Sequence, residues 1–568
     1  MGLTSALQIG RSGLLTAQTA IEVAGNNLAN VATRGYSRQE MVIVPAGVQE
    51  ISNGNFVGRG VQLQEIVRRT DDALMTRIRG SIADQSGSLL KQEIIGQVEA
   101  LQNELTGIDL SSQLNEFFNA FGDLSNQPLD SSLRSLVLQR GESLTSFITE
   151  LRSGLVELRE QLDDRIRNST LAVNDLLGQV EALNKQISQT EGGAGGAHGL
   201  RDQRDQVLNE LAKFLDISAT EQASGVVDIY VGSTPIMLNG KSRGVEVKIE
   251  SVNGVLEHNV IVSADSTSLR AGSGELGALI DLRESMIDQT MTTLDDFTGQ
   301  LIFQINRVHS SGQGSTGFSS VTGATQVLDA TVALNDVDAG IPFEPKHGSF
   351  QIHVTQKSTG QRTTTTINVD LDGINAATDT TLNSLMADID AAGNVSASIT
   401  GSGRLKIDVD SADFQITFSD DSSGVLASLG INTFFTGSNS FDIGVNPTLE
   451  ANVGLIAAGQ GHVAGDNRNA IAMNSLREAR FDEAGGLSLT DMWSRHVEGV
   501  AIQLDQANRQ VEADTVVRDS LEAQHQNVSG VNADEEAINL LSFQRVFQAS
   551  AKFLSIVDEM FDVILNVI

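Results

Sequence analysis

The 568-residue chain contains no cysteine, which excludes disulfides, thiolate catalysis and cysteine-ligated zinc. That absence also suits a chain that must cross between redox environments without cross-linking. Aromatic residues make up only 4%, with one tryptophan and two tyrosines. No apolar run is long enough to span a bilayer. The opening stretch "MGLTSALQIGRSGLLTAQ" lacks the continuous apolar centre of a signal peptide, so a cleaved secretory leader is not expected and other export routes stay open. Basic residues are scarce: 38 Lys and Arg face 72 Asp and Glu, a formal net charge of −34. Phosphate backbones repel such a chain, which argues against nucleic acid as a partner, and the charge itself reads as a solubility device.

At 40% hydrophobic content the chain can bury sizeable cores, and its length calls for several domains. Both ends read as long helices. Near the start, Leu7, Leu14, Ile21 and Leu28 fall every seven residues, beside a mostly small column of Leu3, Gly10, Ala17, Ala24 and Val31. At the other end Leu540, Phe547, Leu554, Phe561 and Ile568 form one seven-residue series, and Phe543, Ser550, Val557 and Ile564 a second. Val546, Phe553, Met560 and Val567 add a third apolar column, and a seam this wide suits more than one neighbour. Gly10, Gly13 and Gly25 each cost the first helix about 1 kcal/mol relative to alanine, so it is marginal alone. Both ends are therefore expected to be frayed in the monomer and to order on assembly.

Between the ends, "LRSGLVELREQLDDRIRNSTLAVNDLLGQVEALNKQI" has helical spacing and "EGGAGGAHG" interrupts it. Residues 225 to 263 alternate as strands, with Asn253-Gly254 as a hairpin signal. A long helix is expected over 276 to 309, strands with one helix near 381 to 391 across the Thr- and Gly-rich segment 325 to 436, and helix again from about 465 to 528. The expected architecture is α+β and multidomain: a coiled-coil-like helical stem built from both termini, with β-rich domains inserted in the middle. The boundaries this implies are an inner terminal helical domain at 1–40 and 529–568 and a helical stem domain at 41–215, 267–324 and 437–528. A small β insert then covers 216–266 and an outer β-rich insert 325–436.

Searching for chemistry returns little. "GSGELG", Gly272 to Gly277, fits a dinucleotide fingerprint, but the polar "SADSTSLRA" stands where a buried strand is required. His347 and His353 fall on one face of an expected strand with no acidic residue at ligand spacing, and read as surface histidines rather than a zinc site. Asp370 and Asp372 lack the remaining positions of a calcium loop, and Asp420-Asp421 reads as a solvated turn. No nucleophile-elbow signature is present. No catalytic residue, cofactor or metal is expected, and the sequence makes no case for an enzyme.

What stands out is assembly. "SALQIGRSGLLTAQTAIEVAGNNLANVATRGYSRQ" resembles the N-terminal motif of the bacterial flagellar axial proteins, the rod, hook and hook-associated family. "SGVNADEEAINLLSFQRVFQASAKFLSIVDEMFDVILNVI" resembles its C-terminal motif, with Phe547 where tyrosine is common. "GLRDQRDQVLNELAKFLDI", "GSGELGALIDLRE" and "FFTGSNSFDIGVN" are similar to internal motifs of members that form the junction between hook and filament. The resemblance implies a structural protein of the flagellum that self-associates in a ring or helical assembly and lies outside the cell. Its implied partners are the hook protein, the second hook-associated junction protein, an export chaperone at the C-terminal region and the flagellar type III export apparatus. The second junction protein and hook protein remain alternative identities, the former typically much shorter, and a surface adhesin on an axial scaffold is a remoter one.

The interface residues expected on this reading are Leu7, Leu14, Ala17, Ile21, Ala24 and Leu28 on the first helix. Asn27, Asn30, Gly35, Tyr36 and Arg38 follow in the turn beyond it. At the other end they are Leu540, Phe543, Phe547, Phe553, Leu554, Val557, Met560, Phe561, Ile564 and Ile568. Arg34 and Arg38 are expected to pair with acidic residues among Asp534 to Glu536, or with a neighbour.

Overall fold

The computed structural model describes residues 2–52, 54–104, 107–192, 196–252, 255–374 and 378–567. In chain order the first elements are α1 (Gly2–Ala29), β1 (Gln39–Pro45), β2 (Val48–Ser52), β3 (Asn55–Gly58) and β4 (Val61–Arg68). Helices α2 (Asp72–Gln102), α3 (Leu110–Asn126), α4 (Ser131–Glu191) and α5 (His198–Phe214) follow. Strands β5 (Ile217–Glu221), β6 (Val227–Val231), β7 (Thr234–Leu238), β8 (Lys241–Ser242), β9 (Val245–Val252) and β10 (Val255–Val262) precede α6 (Gly274–Asp281) and α7 (Gln289–Ser310). The outer strands are β11 (Ser320–Thr322), β12 (Gly348–Gln356) and β13 (Arg362–Val369), then, after α8 (Leu382–Asp390), β14 (Val395–Ile399), β15 (Leu405–Val409) and β16 (Phe414–Ser419). Short pieces lead to three last helices, α9 (Arg468–Ser475), α10 (Leu489–Ser529) and α11 (Ala533–Val567).

The chain forms two compact units. The first holds Met1–Glu93, Leu162–Leu282 and Gln506–Ile568, and the second Ile94–Gln161 and Arg283–Asp505. α4 is 61 residues long. Its buried positions, among them Leu144, Ile148, Leu151, Leu155, Leu158, Leu162, Ile166, Val173, Leu177 and Val180, follow three- and four-residue steps. That periodicity is what makes one continuous helix of it.

In the first unit α1 lies along α11, and the start of α2 packs on the end of α10 through Leu74, Met75, Ile78 and Leu521. A four-stranded antiparallel sheet (β5-β6-β7-β8) and the β9–β10 hairpin hang on the helices, and β1 pairs with β4. The second unit has two three-stranded sheets, β13-β12-β16 and β11-β15-β14. Its core includes Phe117, Phe121, Phe434 and Phe435, whose rings meet mostly edge to face at 4.9 to 5.9 Å.

Several expectations need correction. The helix at 276 to 309 is broken by a π-helical stretch, Leu282–Asp288, between α6 and α7, a register change that hydrophobic periodicity does not announce. Asp421 is not a solvated turn: its carboxylate accepts from the backbone of Ser423, Gly424 and Leu426 at 2.8 to 3.0 Å and ties off a helical turn. His353 is not a surface residue. It is 4% exposed, its ring centroid is 3.9 Å from that of His462, and its nitrogens meet Thr364 and Ser419. The Asn253-Gly254 hairpin signal lies outside the described residues.

Buried histidines give the second unit a pH dependence. His309 is fully buried between the Asn432 carbonyl and the Ala457 N–H, which donates to Nε2 at 3.0 Å, so a proton has no place there. Burial lowers His309, His353 and His462 from 6.5 to about 4. The fold holds the neutral forms, so their contribution is whole above pH 6.5 and is lost as pH falls towards 4. For His309 alone this amounts to about 3 kcal/mol. Calorimetry should show the second unit melting several degrees lower at pH 4.5 than at pH 7, with a flatter profile in a His309→Gln chain; equal profiles would contradict the assignment.

Candidate functional site: the terminal helix pair and its joint

The buried face of α1 is made of small residues. Gly10, Ala17, Ala20, Ala24 and Asn27 are its buried positions. A Cβ on Gly10 would stand 2.8 Å from a Leu554 methyl and 2.9 Å from the Phe553 ring, so only glycine lets the helices come this close. On α11 the seam consists of Leu540, Phe543, Phe547, Leu554 and Phe561, all part-buried, with Val557 at 3% exposed. Large side chains of one helix thus fill the space left by small ones on the other. The large column of α1 lies to the side: Leu14 and Ile21 are part-buried, while Leu7 and Leu28 are each 37% exposed.

The third column of α11 is largely open to solvent, although the Phe553 ring also reaches the Gly10 position of α1. Val546, Phe553 and Met560 are 48%, 41% and 52% exposed, and Ile538, Leu541, Ile556, Val563, Ile564 and Leu565 extend this apolar surface. Ile568 lies outside the described residues. A helix with so much bare apolar area on the side away from its partner has the composition of an interface.

The Asn-rich segment does not break the helix where the polar residues begin, because α1 continues to Ala29. Asn27, 1% exposed, is a hub. Its amide donates to the Gln39 carbonyl (2.9 Å) and to Glu536 (3.2 Å), and its oxygen accepts from the Gln39 N–H (3.0 Å) and the Tyr36 hydroxyl (2.8 Å). Asn30 only braces the preceding turn through Asn26 and Thr33. Gly35 adopts φ +79°, and a Cβ there would meet the Gln206 side chain, whose amide donates to the Arg34 carbonyl at 2.6 Å.

Arg38 closes the joint. Its guanidinium contacts Glu535 at 3.1 Å and Glu536 at 2.7 Å, and its N–H donates to the Ser529 carbonyl at 2.9 Å. Arg34 makes no such pair; it lines a cleft of about 1110 Å³ bounded by α2, α5 and the α10–α11 turn. Below the turn, Asp202 accepts from the Ser37 N–H (3.3 Å) and binds Arg68 (2.7 Å), while Asp205 binds Arg68 and Arg79, each at 2.9 Å. Burial, with Asp202 and Glu536 adding to it, pushes the Tyr36 phenol up to about 12, so it stays a donor. Sequence reasoning missed Ser37, Arg68, Arg79, Asp202 and Asp205. The signal was in "LRDQRDQ", which places Asp202 and Asp205 one turn apart on α5.

Among the described residues one group could hold a metal ion: His347, Asp370 and Asp372, with ligand atoms within 4.8 Å of one another and mostly exposed. The β12–β13 register, Gly348 opposite Val369, brings residues 347 and 370 together; His347 Nδ1 is 3.2 Å from Asp370. Among the described residues no helix is long and apolar enough to cross a membrane.

The comparisons follow the same geometry. A model described as flagella basal body rod protein matches residues 7–36, covering α1 and the turn, and one described as flagellar basal body rod FlgEFG protein C-terminal matches 522–567, covering α11. Residues 95–324 match the flagellar hook-associated protein FlgK helical domain. Over its whole length the chain is 25% identical to flagellar hook-associated protein 1 of Escherichia coli (strain K12), also over its whole length. End to end, the chain is similar to flagellar hook-associated protein 1, and it is a structural component of the bacterial flagellum. The Bacillus subtilis (strain 168) hook-associated protein 1 is 23% identical, over 99% of this chain and 97% of that one. The solved structure of the flagellar hook junction protein FlgK from Burkholderia pseudomallei shares the fold, with a TM-score of 0.51, 14% identity, and coverage of 80% of this chain and 100% of that one.

Within the chain the two named asparagines should separate sharply. Asn27→Ala leaves the Gln39 backbone groups and Glu536 short of partners and should cost the first unit about 2 to 4 kcal/mol. Asn30→Ala should stay within about 0.5 kcal/mol of wild type. Urea unfolding of the full chain measures both; equal effects would contradict the hub role of Asn27.

Proposed function

We propose that the chain forms the junction between hook and filament, by self-assembly of copies through their terminal helices. The observation that carries this is the apolar surface of α11 around Val546, Met560 and Val563, left bare after α1 has taken the other side. Contacts between this surface and a different surface of the next copy are heterologous and propagate into a ring or helical tube. The expected interface residues divide accordingly. Ala17, Ala24, Phe547, Leu554 and Val557 serve the pair within a copy, Leu7, Leu28, Met560 and Ile564 serve contacts between copies, and Phe553, which reaches Gly10 while staying 41% exposed, serves both. Asn27, Tyr36 and Arg38 orient the pair.

The inner domain on this reading is 1–40 with 529–568, attached to a helical stem that carries the β inserts 216–266 and 325–436. Hook protein on one side and the second hook-associated protein on the other are the proposed neighbours. A chaperone masking the apolar α11 before passage through the type III apparatus is consistent with its exposure. The absence of cysteine suits passage as an unfolded chain.

Deleting the last four heptad layers should leave a folded, soluble middle that no longer assembles at the hook tip; a truncated chain that still assembles there would defeat the proposal. Val546→Asp with Met560→Asp should leave the far-ultraviolet circular dichroism of the purified chain unchanged and abolish motility on soft agar. Limited proteolysis of the monomer decides the fraying: rapid loss of about 40 residues from each end would show that the pair depends on neighbouring copies, and resistant ends would show that it stands within one copy.

A further inference from the structure

The second unit contains a cleft of about 430 Å³ that assembly through the terminal helices does not use. Four pieces of chain wall it: the start of α4, the segment 313–317, the β13-β12-β16 sheet and the glycine-bearing loop 459–466. Arg134, Arg362, Gln415, Thr417, His462 and Asp466 are among its polar side chains.

Arg134 is 3% exposed and sits in the first turn of α4, where its charge opposes the positive end of the helix. Among the described residues its guanidinium donates to the Ile456 and Pro128 carbonyls, the latter at 2.7 Å, and its Nε is buried without a partner. Burial lowers its pKa with no carboxylate opposing the shift. A buried guanidinium lacking a counter-charge is costly, the more so at a helix N-terminus. Arg362 opens β13 on the exposed rim, and its charge bears on both His353 and His462.

His462 supplies a second unpartnered group. It is held at φ +54°, its Nδ1 lies 3.1 Å from the Thr417 hydroxyl, and its buried Nε2 has no hydrogen-bond partner. With the Thr417 hydroxyl donating to Nδ1, the neutral ring presents Nε2–H as a donor. The one wall carboxylate, Asp466, is already engaged by Arg468 at 3.0 Å and by the Gln460 N–H at 2.8 Å, which hold it well below the usual carboxylate range. The cleft therefore gathers two guanidinium groups and an imidazole donor against a single neutralised acid, within a chain of net charge −34.

We propose that this cleft binds a small oxyanion of two or more charges, a free phosphate or a polycarboxylate, with Arg134 beneath it and Arg362 and His462 at its sides. Planar guanidinium groups suit both chemistries, and the cleft is of ordinary small-ligand size.

Isothermal titration of the full-length chain at pH 7 with inorganic phosphate and, separately, with citrate tests this, using sodium chloride of matched ionic strength as the control. Saturable one-to-one binding of either probe, absent with chloride, is expected; phosphate alone identifies the free-anion source and citrate alone the polycarboxylate source. Arg362→Gln and His462→Asn should each weaken binding at least fivefold, asparagine being chosen because it tolerates the left-handed backbone. Thermal midpoints without anion confirm that both variants are folded. No saturable binding of either probe, or wild-type affinity in either folded variant, overturns the proposal.

Discussion

Everything in the first unit depends on how closely two helices from opposite ends of the chain approach each other. Glycine at position 10 and alanine at 17, 20 and 24 strip α1 of bulk along one face, and leucine and phenylalanine from α11 occupy the space. The small residues weaken α1 as an isolated helix and strengthen it as a partner. Because α1 takes only one side of α11, the other apolar side is left over for something else. A helix that is marginal alone, well matched to one partner and still apolar on its free face is a sound component for a structure built from many copies.

The pair would slide or rotate without a fixed end, and the joint supplies one. Asn27 is read by four groups at once, from the turn that follows it and from α11, so a shift by one residue breaks all of them. Arg38 carries the constraint to Glu535 and Glu536, and the Arg68–Asp202–Asp205–Arg79 chain carries it to α2 and α5. Breaking one member strands a charge with little solvent access, which is why the network favours one geometry more than it adds raw stability.

The terminal motifs were the most legible part of the sequence, because heptad spacing survives directly in structure. Which column is buried was less legible. The large Leu7–Leu28 series looks like a core stripe by hydrophobicity, yet closeness of approach, not hydrophobicity, selects the small column for the interface. Long-range ionic partners such as Arg68 and Asp202 were invisible because nothing in linear spacing links residues 134 apart. The same limit hid His353 against His462 and His347 beside Asp370: strand register, not sequence distance, brings those groups together. Arg38 with Glu535 and Glu536 was anticipated from charge scarcity alone, and Arg34, singled out on the same ground, has its backbone rather than its charge engaged.

The absence of native cysteine makes the central claim directly measurable. A Cβ on Gly13 would lie 3.9 Å from the Ser550 Cβ, within disulfide range. A chain carrying Gly13→Cys and Ser550→Cys, oxidised at high dilution, should form an intramolecular disulfide, seen as a faster-migrating monomer on non-reducing gels. If the terminal helices pair small face against large within one copy, that product dominates. Free thiols throughout, or covalent dimers alone, would contradict the pairing on which the account rests.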